Sequence, residues 1–137
     1  MKIKLLISII CCLIVCGCAS VVDVPRNVLG FSRRSLVAHK TNSSFQVYQA
    51  PLDEVFQAVA LALEKEKYYI FTKDEPGGFI SVMNIPGMVD TTEVGVFIAR
   101  QTDGPGVKVE LASRSTPAQR AVAAVLFSKL AEEFRKI

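Results

Sequence analysis

Apolar and polar residues alternate along 45–49 (Phe45, Gln46, Val47, Tyr48, Gln49), which predicts a half-buried strand. After Ala50 and Pro51 the period changes. Leu52, Val55, Phe56, Val59, Ala60 and Leu63 recur at three- and four-residue spacing, the apolar face of a helix. Pro51 suits the helix start, and Asp53 and Glu54 sit where the helix dipole is positive. Two aromatic and β-branched runs, 68–72 and 79–83, flank Asp74, Glu75, Pro76, Gly77 and Gly78, the composition of a hairpin turn. Residues 92–101 and 107–114 repeat the arrangement around Asp103, Gly104, Pro105 and Gly106. In the last strand Val107, Val109 and Leu111 share one face, and Lys108 and Glu110 share the other. Thr116, Pro117, Ala118 and Gln119 read as a capping box with Pro at the first helical position. The helix that follows has Val122, Val125, Leu126, Leu130 and Phe134 as its expected core face.

The element order is therefore β-α-β-β-β-β-α. Two apolar-faced helices and one antiparallel sheet of about five strands predict an α+β fold, a two-layer sandwich with both helices on one sheet face. The other face is expected to stay open to water or to a partner. Residues 44–137 suffice for one small domain with its own core.

The N-terminal region follows a different pattern. Lys2 and Lys4 precede an apolar run over 5–15 that only Ser8 interrupts, the composition of a secretory signal. A membrane-spanning helix needs about 20 apolar residues, so the run is too short to be a permanent span. Val15, Cys16, Gly17 and Cys18 resemble the bacterial lipobox, with an aliphatic residue at −3 and a small one at −1. The resemblance implies a signal peptide over 1–17 and Cys18 as the lipidated first residue of a lipoprotein. Its thiol would carry diacylglycerol, and its amino group an acyl chain such as palmitate. Ala19, in place of Asp, implies by the same resemblance the periplasmic face of the outer membrane. The alternative is an ordinary secretory cut after Cys16 or Gly17, which leaves Cys18 as a free thiol. All four cysteines lie at or before position 18, so under either reading no disulfide framework is expected in the mature chain.

Residues 18–43 have no sustained period, contain Pro25 and Gly30, and read as a flexible tether with one short ordered piece near 28–31. Charge supports that division. The chain carries a net charge of +3, yet residues 19–43 hold Arg26, Arg33, Arg34 and Lys40 against Asp23, and acids slightly outnumber bases from Ser44 onward. Such a tether suits an anionic membrane surface. It equally suits a solvated linker. No basic stripe with interleaved aromatics marks the folded part, so nucleic acid is not an expected partner.

Catalytic chemistry finds no foothold. His39 stands alone, and the usual zinc sets cannot be assembled without thiols. Asp90 and Glu93 are too few oxygens for calcium. Ser43, Ser44, Ser113 and Ser115 lack a nucleophile-elbow context. The expectation is a protein that is not an enzyme, with no cofactor and no metal.

The stretch YQAPLDEVFQAVALALEKEKYYIFTKDEPGGFISV, followed by a second hairpin and a helix, resembles small bacterial envelope lipoproteins of an uncharacterised family. The layout over roughly residues 45–135 is also similar to the helix-grip domains of the lipoprotein in the outer-membrane β-barrel assembly machinery. These resemblances imply fold and envelope location, and carry over no active-site residue. The expected function is a lipid-anchored periplasmic domain that binds another envelope component, with the membrane engaged through the N-terminal lipid. The candidate partner-binding loop is Ile85, Pro86, Gly87, Met88, Val89 and Asp90, a wide connection that mixes apolar residues with a Pro-Gly turn. Alternatively, Met88 and Val89 fold back over the core edge. A rival reading is a periplasmic small-ligand-binding domain, its pocket between sheet and first helix lined by Tyr68, Tyr69, Phe71, Phe79 and Phe97.

Overall fold

The structure, a computed structural model, describes residues 33–134. The expected signal peptide, Cys18 and the piece expected near 28–31 lie outside the described residues.

Five strands form one antiparallel sheet: β1 (Ser44–Tyr48), β2 (Tyr69–Asp74), β3 (Phe79–Met83), β4 (Val94–Arg100) and β5 (Val107–Ser113). Their spatial order is β1-β5-β4-β3-β2. β2, β3, β4 and β5 run as a meander, and β1 adds to the far edge beside β5. Two helices, α1 (Leu52–Lys65) and α2 (Thr116–Phe134), pack on the sheet. The α+β sandwich and its element order are those the hydrophobic pattern predicts.

Period-2 alternation sorts each strand between two environments. Ile80 and Val82 of β3, Val96 and Ile98 of β4, and Val109 and Leu111 of β5 point into the main core. They meet Val55, Phe56, Val59, Ala60 and Leu63 of α1, together with Val122, Leu126 and Leu130 of α2. At about 25 cal/mol per Å² of apolar surface, this burial is the principal favourable term in folding. On α2 the expected face is corrected in part. Ala118 and Ala123 are buried, whereas Val125 is only half-buried, because small residues let the helix lie close to the sheet. Phe134 reaches back to the ring of Tyr48, with centroids 5.2 Å apart. Burial pushes the Tyr48 phenol up to about 12.

The cap of α2 also differs from the expected box. Ser115, one residue earlier, accepts from the Ala118 N–H at 3.4 Å. Gln119 is buried, and its amide donates to Asn42 O at 2.8 Å and Ser44 Oγ at 3.2 Å. A residue expected to close its own helix instead clamps the approach to β1.

The largest departure concerns the sheet's second face, expected to be open. Residues 33–37 are helical and Lys40–Asn42 form a 3₁₀ turn, although the sequence places both in the tether. Leu36 of this segment is 3 % exposed and joins Phe79, Phe97 and Ala112 in a second apolar cluster. Gly95 makes room for it: a Cβ at that position would come within 2.8 Å of Leu36 Cδ1 and 3.0 Å of Phe79 Cε2. The described residues, 33–134, belong to one compact unit. The sequence pattern missed this segment because a single buried leucine creates no periodicity.

Leu36→Ala is expected to lower unfolding free energy by about 2–3 kcal/mol, the lower part of the range for buried leucines. A urea midpoint shift at unchanged m-value measures it. A loss below about 0.5 kcal/mol, the usual size at exposed positions, would mean that Leu36 is not a core residue.

Candidate functional site

The loop joining β3 to β4 begins with Asn84 in a left-handed conformation (φ 55). Ile85, Pro86, Gly87 and Met88 then form a turn. The Met88 N–H donates to Ile85 O at 3.0 Å, with Pro at the second position and Gly87 at φ 79 in the third, the signature of a type II turn. Any side chain at Gly87 would be strained there despite the open space around it. A second turn follows, closed by the Thr92 N–H donating to Val89 O at 2.8 Å.

This geometry divides the six candidate residues. Ile85 is 2 % exposed and belongs to the main core, and Met88 is half-buried against that core. Both are therefore structural anchors: Ile85 is corrected as a docking residue, Met88 folds back over the core edge as the alternative had it, and Val89 does not. Pro86, Gly87, Val89 and Asp90 remain exposed, with Val89 at 71 %. Tyr69 starts β2 at this same end of the sheet, paired with Met83 immediately before the loop. It is 57 % exposed, and Phe71 at the β2 bulge is 43 % exposed. The sequence reading assigned these two aromatics to a pocket, whereas they stand at the surface.

The other aromatics of the expected pocket are also separated. Tyr68 packs at the edge of the main core, while Phe79 and Phe97 meet at a tilt on the opposite sheet face, their centroids 5.0 Å apart. Between the sheet and α1, the side chains of Val55, Phe56, Val59 and Leu63 fill the space. Grooves among the described residues lie elsewhere. One of about 470 Å³ runs between β1 and α2 past Arg120, Ala123, Phe127 and Ser128, and one of about 270 Å³ lies between α1 and α2.

The second sheet face carries a polar arrangement that no motif announces. Arg33 lies over the Phe79 ring at 5.6 Å, and Lys40 over the Phe97 ring at 4.0 Å. Cation–π contacts of this kind contribute about 0.5–1 kcal/mol each at exposed sites. Arg33 also donates to Gly77 O at 2.9 Å and pairs with Asp74 at 3.4 Å. Glu110, on the same face of β5, collects three partners: Ser43 Oγ donates at 2.6 Å, Lys40 Nζ stands at 3.0 Å and Lys108 Nζ at 3.1 Å. Arg114 donates to Ser35 Oγ from Nη2 at 2.6 Å. The segment 33–43 is thus held by Leu36 in the Gly95 gap and by charge on either side of it. The alternation of β5 placed Lys108 and Glu110 together, but the Glu110 partners Ser43 and Lys40, 67 or more residues away, could not be read from spacing.

Burial pushes the Glu110 carboxyl up, but the hydrogen bonds from Ser43, Lys40 and Lys108 together outweigh it and hold the group below the ordinary value of 4.5. Thr72 Oγ1 and Ser81 Oγ, paired across β2 and β3, and Glu93 Oε1 are buried without a hydrogen-bond partner. Among the described residues no cluster of His, Cys, Asp and Glu could hold a metal ion, and no helix is long and apolar enough to cross a membrane. No protein-family model and no curated protein matches the chain.

A carboxylate with a depressed folded pKa adds stability that is complete above its unfolded value and lost as pH falls through its folded value. Between about pH 5 and about pH 3 the wild-type chain is therefore expected to lose more stability than Glu110→Gln. Parallel urea titrations across that window measure it, and equal losses in both proteins would remove Glu110 as the acid-labile group.

Proposed function

We propose that the chain is a lipid-anchored envelope protein, attached through Cys18, whose α+β domain docks a protein partner at the loop end of its sheet. The observation that carries this reading is the exposed apolar set Val89, Tyr69 and Phe71, brought to one end of the sheet. The turns beneath Val89 are pinned by buried Ile85, so the tip is presented by a fixed support. Interfaces place aromatics at their energetic centre, where desolvation is most complete. The lipobox at Val15, Cys16, Gly17 and Cys18 supports the anchor. Two or more acyl chains give durable attachment, because each buried methylene contributes about 0.8 kcal/mol.

The structure sharpens the choice of variants. Met88→Asp would place a charge against the core, whereas Val89→Asp and Tyr69→Asp alter exposed positions and leave packing intact. Crosslinking in native membranes, followed by purification of the chain, is expected to capture a protein partner with the wild type. Val89→Asp/Tyr69→Asp is expected to lose it at an unchanged melting temperature. Undiminished capture by the double variant would eliminate this patch. Labelled fatty acid is expected on the wild type and not on Cys18→Ser, and equal label on both would eliminate the anchor.

A further inference from the structure

We infer that the sheet face carrying residues 33–43 is a docking surface for anionic lipid headgroups, which orients the domain on the membrane with its helices outward. The inference rests on the lipid anchor proposed above and adds a second contact to it. Among the described residues five cations gather on this face: Arg33, Arg34 and Lys40 from the segment, Lys108 from β5, and Arg114 bonded to Ser35. Asp74 and Glu110 are the carboxylates that answer them, which leaves a net of three positive charges. Within their described residues α1 and α2 carry Asp53, Glu54, Glu64, Glu132 and Glu133 against Lys65, Arg120 and Lys129, a net of two negative charges. A domain so polarised is turned by an anionic surface, basic face inward.

Two further observations select a lipid surface. Exposed apolar side chains on this side include Val37 and Phe45, and Lys108 Nζ lies 4.6 Å from the Phe45 ring. Apolar groups flanked by basic ones suit the boundary between headgroups and acyl chains. Chain length gives the second. Only fourteen residues separate Cys18 from Arg33, a reach of at most about 50 Å when fully extended. The domain is therefore confined near the bilayer, and its described part starts at the basic face. Confinement makes docking intramolecular, so weak contacts suffice.

The chain contains no tryptophan, so a single introduced indole is a unique reporter. Full-length lipidated protein carrying Phe45→Trp, Val37→Trp or Leu61→Trp is reconstituted into vesicles of brominated phosphatidylcholine. A parallel set contains roughly 30 mol % brominated phosphatidylglycerol. Leu61 is exposed on the helix layer and serves as the control. On anionic vesicles the indoles of Val37→Trp and Phe45→Trp are expected to be quenched, with little quenching in Leu61→Trp and loss of the difference at high salt. Adding Arg34→Glu, a change of two charges, should lower the docked-to-free ratio about 25-fold, at about fivefold per charge. A chain that floats with neither vesicle overturns the anchor and the docking together. One that floats with both, yet shows quenching at Phe45→Trp and Val37→Trp no greater than at Leu61→Trp, overturns the docking alone. Equal quenching on neutral and anionic vesicles also overturns it.

Discussion

A five-stranded sheet has two faces, and a chain of this size has helices enough for one. What completes the fold is the insertion of Leu36 into the gap left by Gly95, where it closes over Phe79, Phe97 and Ala112. Without that leucine two phenylalanine rings would lie under water at the centre of the second face. The contact is small in area, but it decides where the domain begins and which side of the sheet is free. It also forces the connecting chain to cross the sheet before β1 can add beside β5.

Charge secures the crossing. Arg33 and Lys40 sit over the two rings that Leu36 touches, and Glu110 gathers Lys40, Lys108 and Ser43 around one carboxylate. Each contact is partly exposed and individually modest. They matter because they share one short segment, so that fixing it once satisfies all of them. The same crossing concentrates cations on one sheet face, and the helices lie on the other. Fold closure and the proposed orientation at a membrane thus draw on one set of residues.

Much of the architecture was legible in the sequence because periodicity reports burial directly. Val55, Phe56, Val59 and Leu63 mark α1, the alternation of Val107, Val109 and Leu111 marks β5, and the Asp-Gly-Pro stretches mark the turns. What could not be read depended on contacts distant in sequence. Gln119 looks like half of a capping box until Asn42 and Ser44 are placed beside it. Gly95 looks like a weak strand residue until Leu36 is placed against it. The loop was found by composition, but composition could not divide it. Only the type II turn at Pro86 and Gly87 shows that Ile85 and Met88 face inward while Val89 faces out. The rival reading assigned Tyr69 and Phe71 to a pocket, but they stand exposed on β2, an edge strand of the sheet.

The burial of Leu36 is the claim on which the others converge, and its methyl groups report it directly. In a carbon-13-edited NOESY spectrum of the full-length chain, the neighbouring Phe79 and Phe97 rings should shift the Leu36 δ-methyl signals away from the position of an unstructured leucine. Cross-peaks to the Phe79 and Phe97 ring protons and to the Gly95 α-protons should accompany them. Methyl signals at the position of an unstructured leucine, with none of those cross-peaks, would contradict the account.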